Sequence, residues 1–521
     1  MMTNRRIEKK SEPVGGLVSR RQFIGVTGAA AMGLAAAGAK SKGSQAGKKK
    51  GAPPVARNEN LNNLNVIVII ADSMRADHVG CYGSKIKTPN LDRFGAESAL
   101  FEEAYAENLP TMPSRTAMWT GRYLFWQRGW QPMAMNDYLM AEIFWDRGMT
   151  SAFITDVYHM HKPIYNCGRG FDTTVFIRGQ EYDPWIIDPS VKVDVTKYHR
   201  LPGNDKDATW RSRYEQYLRN VSGFKTEEDY FAPRVVKEAI AWLEKATKKQ
   251  KDNLFLWVDC FDPHEPWDPP PPYREMYDPG YKGLEMIDPV PGPVEGYMSE
   301  AELKHTRALY AGEVTFVDKW IGILLDRIRE LGLWENSLIV FTSDHGEPLG
   351  EHGYVRKAFP RNYEELAHTP LMVRHPKGVG AGKRFSAFVQ PPDLLPTILE
   401  LKGISKDLRL NYTAPVKLTF PQDVVVQSEN VRLTGESFLP ILEGRAEAIR
   451  DFAVTAHHNA QWSIRTKEWA YLYNLNKKQP NELYDRVKDR AETRNVLAEQ
   501  KEIASALETK LKDFAQSVSG E

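Results

Sequence analysis

The sequence predicts an α/β fold, and two features of the chain carry that prediction. Short runs of β-branched and other apolar residues have the length of strands, and longer stretches with helical patterning separate them. Unbroken apolar runs are typical of strands buried on both faces of a parallel sheet. Their alternation with helices indicates helical layers packed on that sheet. With 521 residues, of which 42% are hydrophobic and 26% charged, the chain has a globular composition.

Acidic residues or histidines follow each of the three strand candidates. These candidates are Asn65–Ala71, Asn253–Asp259 and Ser337–Ser343. Asp72 follows the first run, and Asp344 and His345 follow the third. Ligands bind at the carboxyl ends of strands in open α/β sheets, and carboxylate and imidazole groups suit Ca²⁺, Mg²⁺ or Mn²⁺. These positions therefore predict a metal site, while a helix cap or turn explains each acid taken alone.

The remaining regular structure divides the chain into a body and a smaller C-terminal part. Helical stretches at Tyr230–Lys248 and Glu300–Leu331 alternate with the strand candidates. Asp451–Asn474 alternates apolar and polar residues, which predicts β-hairpin structure. Leu497–Ser517 has the periodicity of an amphipathic helix. The C-terminal part is therefore expected to contain both strands and a helix.

A loop that enters a helix is predicted around Thr111. Here Thr111, Pro113, Ser114 and Arg115 precede an apolar run. Helix N-termini favour anions, and an arginine in the first turn adds a bidentate clamp for an oxyanion. Thr111 is therefore a candidate nucleophile at the mouth of an anion site.

The first 39 residues predict an export signal. Arg20 and Arg21 precede an apolar run that is rich in alanine and glycine and ends in small residues at 37–39. This order predicts a twin-arginine signal peptide over 1–39 and delivery to the periplasm by the twin-arginine export machinery. A chance arginine pair or an uncleaved anchor is the alternative, but the run is too short for stable membrane insertion. Residues 40–63 have the composition of a flexible linker.

Charge and cysteine content exclude several classes of protein. Residues 1–57 carry 12 Lys and Arg against 2 acids, so residues 58–521 carry 57 against 66 and a net charge of −9. Such a body does not attract nucleic acid through its overall field, although a local basic pocket can hold an anion. The 3 cysteines, Cys81, Cys167 and Cys260, lack the spacing of zinc-ribbon or thioredoxin motifs.

Five motifs occur in a fixed order along the chain. They lie at Ala71–Gly83, Leu109–Arg122, Asp262–Trp267, Thr342–Gly353 and Asn481–Asp485. Together they resemble the sulfatase family of the alkaline-phosphatase superfamily over most of the chain after residue 64. The resemblance implies a large mixed sheet sandwiched by helices over residues 64–403. It also implies a C-terminal subdomain over 404–521, in which a small antiparallel sheet and a helix pack against the active-site side.

The resemblance also implies a set of metal ligands. Asp72, Asp344 and His345 match residues that bind one divalent ion, usually Ca²⁺, with Mg²⁺ or Mn²⁺ as alternatives. The family usually has a second aspartate where this chain has Ser73, so a hydroxyl stands in place of a carboxylate. Because a hydroxyl is the weaker ligand, we expect lower metal affinity or a likeness to single-aspartate relatives such as the phosphonate monoester hydrolases.

Further active-site roles follow from the same resemblance. Arg115 is expected to fix the loop of the nucleophile, and Lys357 matches a lysine that contacts the sulfate. His264 matches a histidine near the leaving oxygen, which makes it a candidate proton donor. His159 matches another active-site histidine, but the lysine that commonly precedes it is absent from this chain.

Thr111 departs from the nucleophile of the family. Sulfatases have Cys or Ser at this position and oxidise it to formylglycine, whereas oxidation of a threonine gives a ketone. No formylglycine is therefore expected here. Thr111 can still attack sulfur or phosphorus directly, as a threonine does in the related nucleotide pyrophosphatases/phosphodiesterases; otherwise a metal-bound water attacks.

Three functions are compatible with these residues. The first is hydrolysis of sulfate esters on a small molecule or glycan, and the second is hydrolysis of phosphodiesters, phosphonates or phosphate monoesters. The third is a catalytically silent relative that binds a sulfated glycan, against which the intact Arg115, His264 and Lys357 argue. Aromatic side chains such as Tyr158 and Trp185 are either a platform for sugar rings or ordinary packing residues.

Overall fold

The computed structural model describes residues 61–201, 203–204, 206–357, 361–405, 408–409, 430–457, 460–477 and 479–519. The predicted signal peptide over 1–39 and most of the predicted linker over 40–63 lie outside the described residues. Among the helices of the described part, none is both long and apolar enough to cross a bilayer. The boundary between residues 403 and 404 stays a prediction.

The described ranges contain both strands and helices in alternation. The strands, in chain order, are β1 Asn65–Ala71, β2 Ala99–Ala104, β3 Asn108–Leu109, β4 Thr150–Thr155, β5 Thr173–Phe176, β6 Leu254–Cys260, β7 Gly292–Pro293, β8 Ser337–Thr342, β9 Tyr354–Val355, β10 Leu371–Arg374, β11 Arg384–Val389, β12 Leu408–Arg409, β13 Asn430–Val431, β14 Ala453–His457, β15 Gln461–Arg465, β16 Trp469–Asn474 and β17 Glu482–Asp485. The α-helices are α1 Pro89–Ala96, α2 Thr111–Thr120, α3 Met140–Asp146, α4 Asp207–Val221, α5 Phe231–Thr247, α6 Glu300–Glu330, α7 Glu364–Ala367, α8 Leu394–Leu401, α9 Leu439–Leu442 and α10 Lys501–Ser519.

The centre of the fold is an eight-stranded sheet in the order β11-β2-β10-β8-β1-β6-β4-β5. Strand β10 is antiparallel to both of its neighbours, whereas β1 is parallel to β6 and to β8. The predicted α/β fold with a large mixed sheet is therefore confirmed. The three predicted strands correspond to β1, β6 and β8, and their ends differ from the prediction by at most one residue.

The side chains of β1 alternate between two buried faces of this sheet. Ile67 and Ile69 pack in a core with residues of α1, α5 and α6, and Val66 and Val68 pack in a second core with residues of α2, α3 and α8. Because helices cover both faces, no position of β1 meets water. This explains why the run lacks polar alternation.

Helix α6 holds the segment that follows β1. It begins with a capping box, in which the Glu302 N–H donates to the Ser299 hydroxyl (3.3 Å) and the Ser299 N–H donates to the Glu302 carboxylate (2.8 Å). Two turns further on, the Tyr310 hydroxyl donates to the carbonyl of Ser73 (2.8 Å) and accepts from the N–H of Arg75 (3.0 Å). The chain is thereby fixed directly after Asp72.

The C-terminal part forms a five-stranded sheet in the order β17-β16-β15-β14-β3, beside the terminal helix α10. Strands β14 to β17 are antiparallel, which confirms the predicted small sheet and extends the expected hairpin to four strands. Strand β3, only two residues long, joins β14 in parallel and was not predicted. It leads directly to Thr111, so the C-terminal sheet anchors the segment that carries this residue.

Candidate functional site

Three neighbouring parallel strands bring three aspartates to one edge of the main sheet. Asp72 follows β1, Asp344 lies two residues beyond the end of β8, and Asp259 is the penultimate residue of β6. The register aligns them, because Ile70 of β1 pairs with Asp259 on one side and with Thr342 on the other. All three carboxylates are completely buried. With Arg115 and His345, we call these side chains the carboxylate cluster.

Arg115 donates to all three aspartates of the carboxylate cluster. Its Nε and Nη2 bind both oxygens of Asp259 (2.9 and 2.6 Å), its Nη2 also binds Oδ2 of Asp72 (3.0 Å), and its Nη1 binds Oδ2 of Asp344. Burial alone disfavours the charged guanidinium, yet the three carboxylates keep the pKa of Arg115 above its usual value. One guanidinium balances one of three negative charges, so the cluster remains short of positive charge.

His345 faces two of these carboxylates with an unpaired nitrogen. Its Nδ1 lies 2.8 Å from the carbonyl of Gly346, to which the neutral ring donates. Its Nε2 lies 3.5 Å from Oδ2 of Asp344 and 4.0 Å from Oδ1 of Asp72. This buried Nε2 has no hydrogen-bond partner among the described residues. Burial lowers the pKa of His345, so the nitrogen presents a lone pair rather than a proton.

Asp72, Asp344 and His345 meet the requirements of a cation site. One ligand atom from each lies within 4.8 Å of the others. Burial and the charge of Asp344 raise the pKa of Asp72 well above its usual value, which shows how poorly the two carboxylates tolerate each other without a further cation. A lone pair that points at two crowded carboxylates is the arrangement that a shared metal ion requires.

Ser73 supports the carboxylate cluster from its edge. Its hydroxyl donates to Oδ1 of Asp72 (2.8 Å), and its N–H donates to Oδ1 of Asp344 (3.1 Å). Its φ of 60° places it in the left-handed region, which lets one residue serve both aspartates. Ser73 therefore contacts two of the three predicted metal ligands, and its hydroxyl is engaged by Asp72.

Thr111 is the first residue of α2 and is buried to 1% exposure. Arg115, one turn along, donates from Nη1 to the Thr111 carbonyl (3.2 Å). Ser114 donates its hydroxyl to the carbonyl of Asp344 (2.9 Å). The start of α2 is therefore tied to the carboxylate cluster by two side chains. The Thr111 hydroxyl itself has no hydrogen-bond partner within the described ranges.

Lys357 lies at the opposite side of Ser73, in a second buried group of charges. Its ammonium donates to Glu265 (2.8 Å) and to Glu347 (2.6 Å) and lies 3.5 Å from the Ser73 hydroxyl. The neighbouring Arg356 donates to Glu265 (2.6 Å) and also pairs with Asp288. We call Lys357, Arg356, Glu265, Glu347 and Asp288 the lysine cluster.

The electrostatics of the lysine cluster differ between its carboxylates. Glu265 is buried, but the nearby Arg356, His264 and Lys357 hold its pKa well below the usual value. Burial raises the pKa of Glu347, because Lys357 compensates it only in part. The ammonium of Lys357 stays charged in spite of its burial, since both glutamates raise its pKa. Lys357 and Glu265 thus form an ion pair beside Glu347.

His264 is a neutral histidine next to the lysine cluster. Its Nδ1 lies 2.6 Å from the backbone carbonyl of Glu265, and its ring stacks on Phe261 with centroids 3.9 Å apart. Burial lowers its pKa to about 3. A ring that donates from Nδ1 can accept a proton at Nε2, so the predicted role as proton donor requires that the ring first takes one up.

His159 lies beside a glutamate that the sequence analysis did not identify. Its Nε2 is 3.3 Å from the carboxylate of Glu181. Desolvation opposes ionisation of Glu181, but the adjacent His159 lowers the pKa of this carboxyl to about 2. Glu181 also interacts electrostatically with His264, so this glutamate connects His159 with His264.

The structure brings most of the predicted site residues together and adds five others. Asp72, Ser73, Asp344, His345, Thr111, Arg115 and Lys357 form one connected network, while His264 and His159 adjoin it through glutamates. The additional residues are Asp259, Glu265, Glu347, Arg356 and Glu181. Asp259 ends a predicted strand, and Glu265 and Glu347 lie within two of the five motifs, whereas Arg356 and Glu181 carried no signal in the sequence.

Comparison with known proteins identifies relatives over nearly the whole described chain. A family model with the description Sulfatase matches residues 64–404, which is more than half of the chain. A second model, described as N-sulphoglucosamine sulphohydrolase, C-terminal, matches residues 350–517. The chain is 27% identical over 383 residues to an arylsulfatase of Clostridium perfringens, a match that covers 66% of this chain and 75% of that protein. It is 24% identical over 524 residues to an N-acetylglucosamine-6-O-sulfatase of Bacteroides thetaiotaomicron, with 88% of each chain covered.

Solved structures share the fold at low sequence identity. A phosphonate monoester hydrolase of Agrobacterium radiobacter matches with a TM-score of 0.64 and 22% identity, covering 87% of this chain and 96% of that chain. A protein solved in complex with D-glucosamine-2-N,6-O-disulfate also matches with a TM-score of 0.64, at 20% identity, covering 88% and 98%.

Proposed function

Because the chain belongs to the sulfatase family, we propose that it is a sulfuric ester hydrolase that requires one divalent metal and has Thr111 at the position of the nucleophile. The observation that carries this proposal is the unpaired Nε2 of His345, which faces Asp72 and Asp344 in a fully buried cluster. The same edge of the sheet presents Thr111 and Lys357, so a nucleophile and a cation for the substrate oxygens adjoin the metal position.

The residues present fit a divalent cation. Asp72, Asp344 and His345 would hold it, with the Ser73 hydroxyl beside Asp72. Two carboxylates and one imidazole are hard ligands, which favours Ca²⁺ and is also compatible with Mg²⁺ or Mn²⁺. When bound, the ion supplies positive charge that stabilises the developing negative charge of the reaction.

The chain's own residues account for the positioning steps. Arg115 holds the Thr111 carbonyl and thereby aims the first turn of α2 at the site. Lys357, charged and tied to Glu265 and Glu347, binds the anionic oxygens of the ester. The Thr111 oxygen attacks sulfur, the bond between sulfur and the leaving oxygen breaks, and the proton of the Thr111 hydroxyl passes to solvent water.

Proton transfer to the leaving group is assigned to His264. The neutral ring takes up a proton at Nε2 while its Nδ1–H remains on the Glu265 carbonyl. The protonated ring then donates to the leaving oxygen. The sulfated threonine is cleaved by water at sulfur, because a threonine lacks the second hydroxyl with which a hydrated formylglycine expels sulfate. We therefore expect the hydrolysis of the sulfated threonine to limit the overall rate of the enzyme.

Hydrolysis of phosphate or phosphonate esters is the second candidate function. Two departures from the family pattern favour it, namely Ser73 in place of an aspartate and Thr111 in place of the formylglycine precursor. A threonine attacks phosphorus without a modification, and the fold is shared with a phosphonate monoester hydrolase. A catalytically silent glycan-binding relative is the third candidate, and the complete carboxylate and lysine clusters argue against it.

One experiment separates the candidates. The full chain, treated with EDTA and reloaded with Ca²⁺, is assayed with 4-nitrophenyl sulfate, 4-nitrophenyl phosphate and bis(4-nitrophenyl) phosphate, and Thr111→Val serves as the control. We expect the highest kcat/KM for the sulfate ester and loss of turnover after EDTA. A higher kcat/KM for either phosphate ester would transfer the assignment to phosphoryl chemistry.

We also propose that the chain is exported by the twin-arginine machinery and acts in the periplasm on a sulfated or phosphorylated small molecule or glycan. The arginine pair at 20–21 and the small residues at 37–39 support this proposal. Changing both arginines to lysine should retain full-length protein in the cytoplasm, since the receptor reads a guanidinium pair. Normal periplasmic delivery of that double variant in cell fractionation contradicts the signal assignment.

A further inference from the structure

A chain of contacting cations and aromatic rings begins at His159, whose ring centroid lies 5.5 Å from that of Tyr158. Tyr158, the preceding residue, packs edge-on against Tyr182 with ring centroids 5.1 Å apart. The ammonium of Lys162 lies 4.5 Å above the Tyr158 ring. The guanidinium of Arg213 lies 4.5 Å from the centroid of Tyr182 and 5.0 Å from that of Trp210. We call these five residues the cation–aromatic wall.

The cation–aromatic wall adjoins the candidate active site. Tyr182 directly follows Glu181, whose carboxylate contacts His159 and interacts electrostatically with His264. Arg356, the neighbour of Lys357, also interacts electrostatically with the hydroxyl of Tyr182. All five residues of the wall are partly exposed, so their rings and cationic groups are accessible to a ligand.

The carboxylates close to the wall already have cationic partners. Asp183 pairs with Arg178 and Asp288 pairs with Arg356, while the Glu181 carboxylate lies 3.3 Å from Nε2 of His159. Lys162 and Arg213, by contrast, form no ion pair with any of the described residues. Arg213 acts on Asp288 through space, but neither cation of the wall has a direct ion-pair partner among the described residues.

The donors of Arg213 are available, because its guanidinium makes no hydrogen bond to a described residue. Contact with aromatic rings does not consume the N–H groups of a guanidinium, which can bind an oxyanion with two parallel hydrogen bonds. Trp210 and Arg213 are three residues apart on α4, so both project from one face of the helix, and Tyr182 packs on the same guanidinium. The rings thus fix the orientation of the cation before a ligand arrives.

From this arrangement we propose that Arg213, with Lys162, binds a second anionic group of the substrate, so that the enzyme prefers esters on a molecule that carries another negative charge. The inference rests on the proposed ester hydrolysis and specifies its substrate class. The second group is an oxyanion, either a further sulfate or a carboxylate. A local positive surface offsets the repulsion that the net charge of −9 over residues 58–521 exerts on such a substrate.

The test compares probes that differ in the number of anionic groups. Equilibrium binding of glucosamine 6-O-sulfate, glucosamine 2-N,6-O-disulfate and glucuronate 2-O-sulfate is measured by calorimetry on the full chain carrying Thr111→Val, so that turnover does not consume the probes. If sulfate release persists in this variant, KM replaces Kd. Arg213→Met keeps the stem that packs between the rings and removes the charge. Arg211→Met is the matched control, since Arg211 lies two residues away on the same helix and is exposed.

We expect Arg213→Met to weaken binding of at least one dianionic probe about fivefold to tenfold and to leave the monosulfate within about twofold, as for a partly exposed charge pair. If Arg213→Met weakens binding of the disulfate alone, the second anionic group is a sulfate. If it weakens binding of the sulfated uronate, the second group is a carboxylate. Lys162→Met should also weaken binding of the dianionic probes more than that of the monosulfate, but by a smaller factor than Arg213→Met. Equal effects on all probes, no effect, or an equal effect of Arg211→Met overturns the proposal. A separate measurement tests the proposed function itself: if the unsubstituted enzyme releases no sulfate, the proposed ester hydrolysis is wrong.

Discussion

The carboxylate cluster and the lysine cluster are both buried, and both contain three carboxylates, but they differ in how their charge is balanced. In the lysine cluster, Lys357 and Arg356 give Glu265, Glu347 and Asp288 two cations. In the carboxylate cluster, Arg115 alone serves Asp72, Asp259 and Asp344. His345 adds a lone pair rather than a charge.

This difference indicates which cluster depends on an external ion. Unpaired charges in a protein interior are costly, so buried carboxylates are retained with cations or metals. The lysine cluster has its cations within the chain and is expected to fold without an ion. The carboxylate cluster lacks at least one positive charge, which is the physical reason for the proposed metal requirement. Substitutions at Asp344 and Lys357 test the two sides of this contrast, and those at Thr111 and Glu107 test residues outside both clusters.

The largest effect is expected from the carboxylate cluster. Asp344→Asn keeps the shape of the side chain and removes one of the two anionic ligands, so stoichiometric metal binding should be lost and kcat/KM should fall by a factor of about 1,000 or more. Metal content is measured on purified protein together with turnover. Asp288→Asn, the control in the lysine cluster, should retain the metal. A metal-replete and fully active Asp344→Asn protein contradicts the role of this residue as a ligand.

The next effect concerns Thr111. Thr111→Val retains the volume and removes the attacking oxygen, so kcat should fall by about three powers of ten while a substrate analogue still binds. Thr111→Ser should keep appreciable activity. Thr111→Cys, expressed with the maturation enzyme, should gain formylglycine, seen as a mass about 18 Da below that of the cysteine form. An unimpaired Thr111→Val enzyme means that water attacks and that Thr111 only lines the site.

Removal of the ammonium from the lysine cluster should have a smaller effect on turnover. Lys357→Met leaves Glu265 and Glu347 with one cation fewer, so kcat/KM should fall about 100-fold and the protein should unfold at a lower temperature, at a cost of about 3 kcal/mol. The double variant Lys357→Met/Glu265→Gln removes the unpaired charge and should regain stability without activity. Both variants should keep the metal. Recovery of activity in the double variant would show that Lys357 acts only by neutralising Glu265.

The smallest effect is expected at a buried carboxylate that lacks any cation. Glu107 accepts from the N–H groups of Leu124 (2.6 Å) and Phe125 (2.7 Å) with one oxygen, and its other oxygen has no partner among the described residues. Burial raises its pKa to about 8. The folded state therefore binds this proton more tightly than the unfolded state, and stability should fall by about 1.4 kcal/mol per unit as pH rises from about 5 to about 7.

Denaturant unfolding of the parent and of Glu107→Gln at several pH values measures this slope. The neutral amide cannot ionise, so the variant should lose this component of the pH dependence. Turnover at a fixed pH should change little, because Glu107 makes no contact with the carboxylate cluster in the described structure. Identical slopes for the two proteins contradict the assignment of the raised pKa to Glu107.

Several parts of the fold and site follow from local sequence. The apolar run of β1 has no polar alternation, and burial on both faces is the reason, so its bounds Asn65–Ala71 were predictable. Asp72, Asp344 and His345 were predictable as a group, because residues that follow parallel strands meet at one edge. Thr111 and Arg115 were predictable from the helix start that they share.

Other features depend on contacts between distant segments. Strand β3 is too short to have a pattern, and it forms because β14, more than 340 residues later, offers an edge for Asn108 and Leu109. Glu265 and Glu347 carry no periodic signal, and only the folded chain shows that both bind Lys357. The pairing of Arg213 with Tyr182 joins α4 to a loop that precedes it, which no spacing along the helix reveals.

By itself, then, the sequence determined the central strands β1, β6 and β8, the helices α5, α6 and α10, and the chemical types of the residues at the sheet edge, since these depend on neighbours within a few positions. The tertiary structure decided which charges are balanced. Asp72 and Glu265 are both acids beside buried strands, yet one lies against two other carboxylates and the other against two cations. Electrostatic energies in a buried site depend on distances of a few ångströms between side chains that are far apart in the chain, and only folding sets those distances.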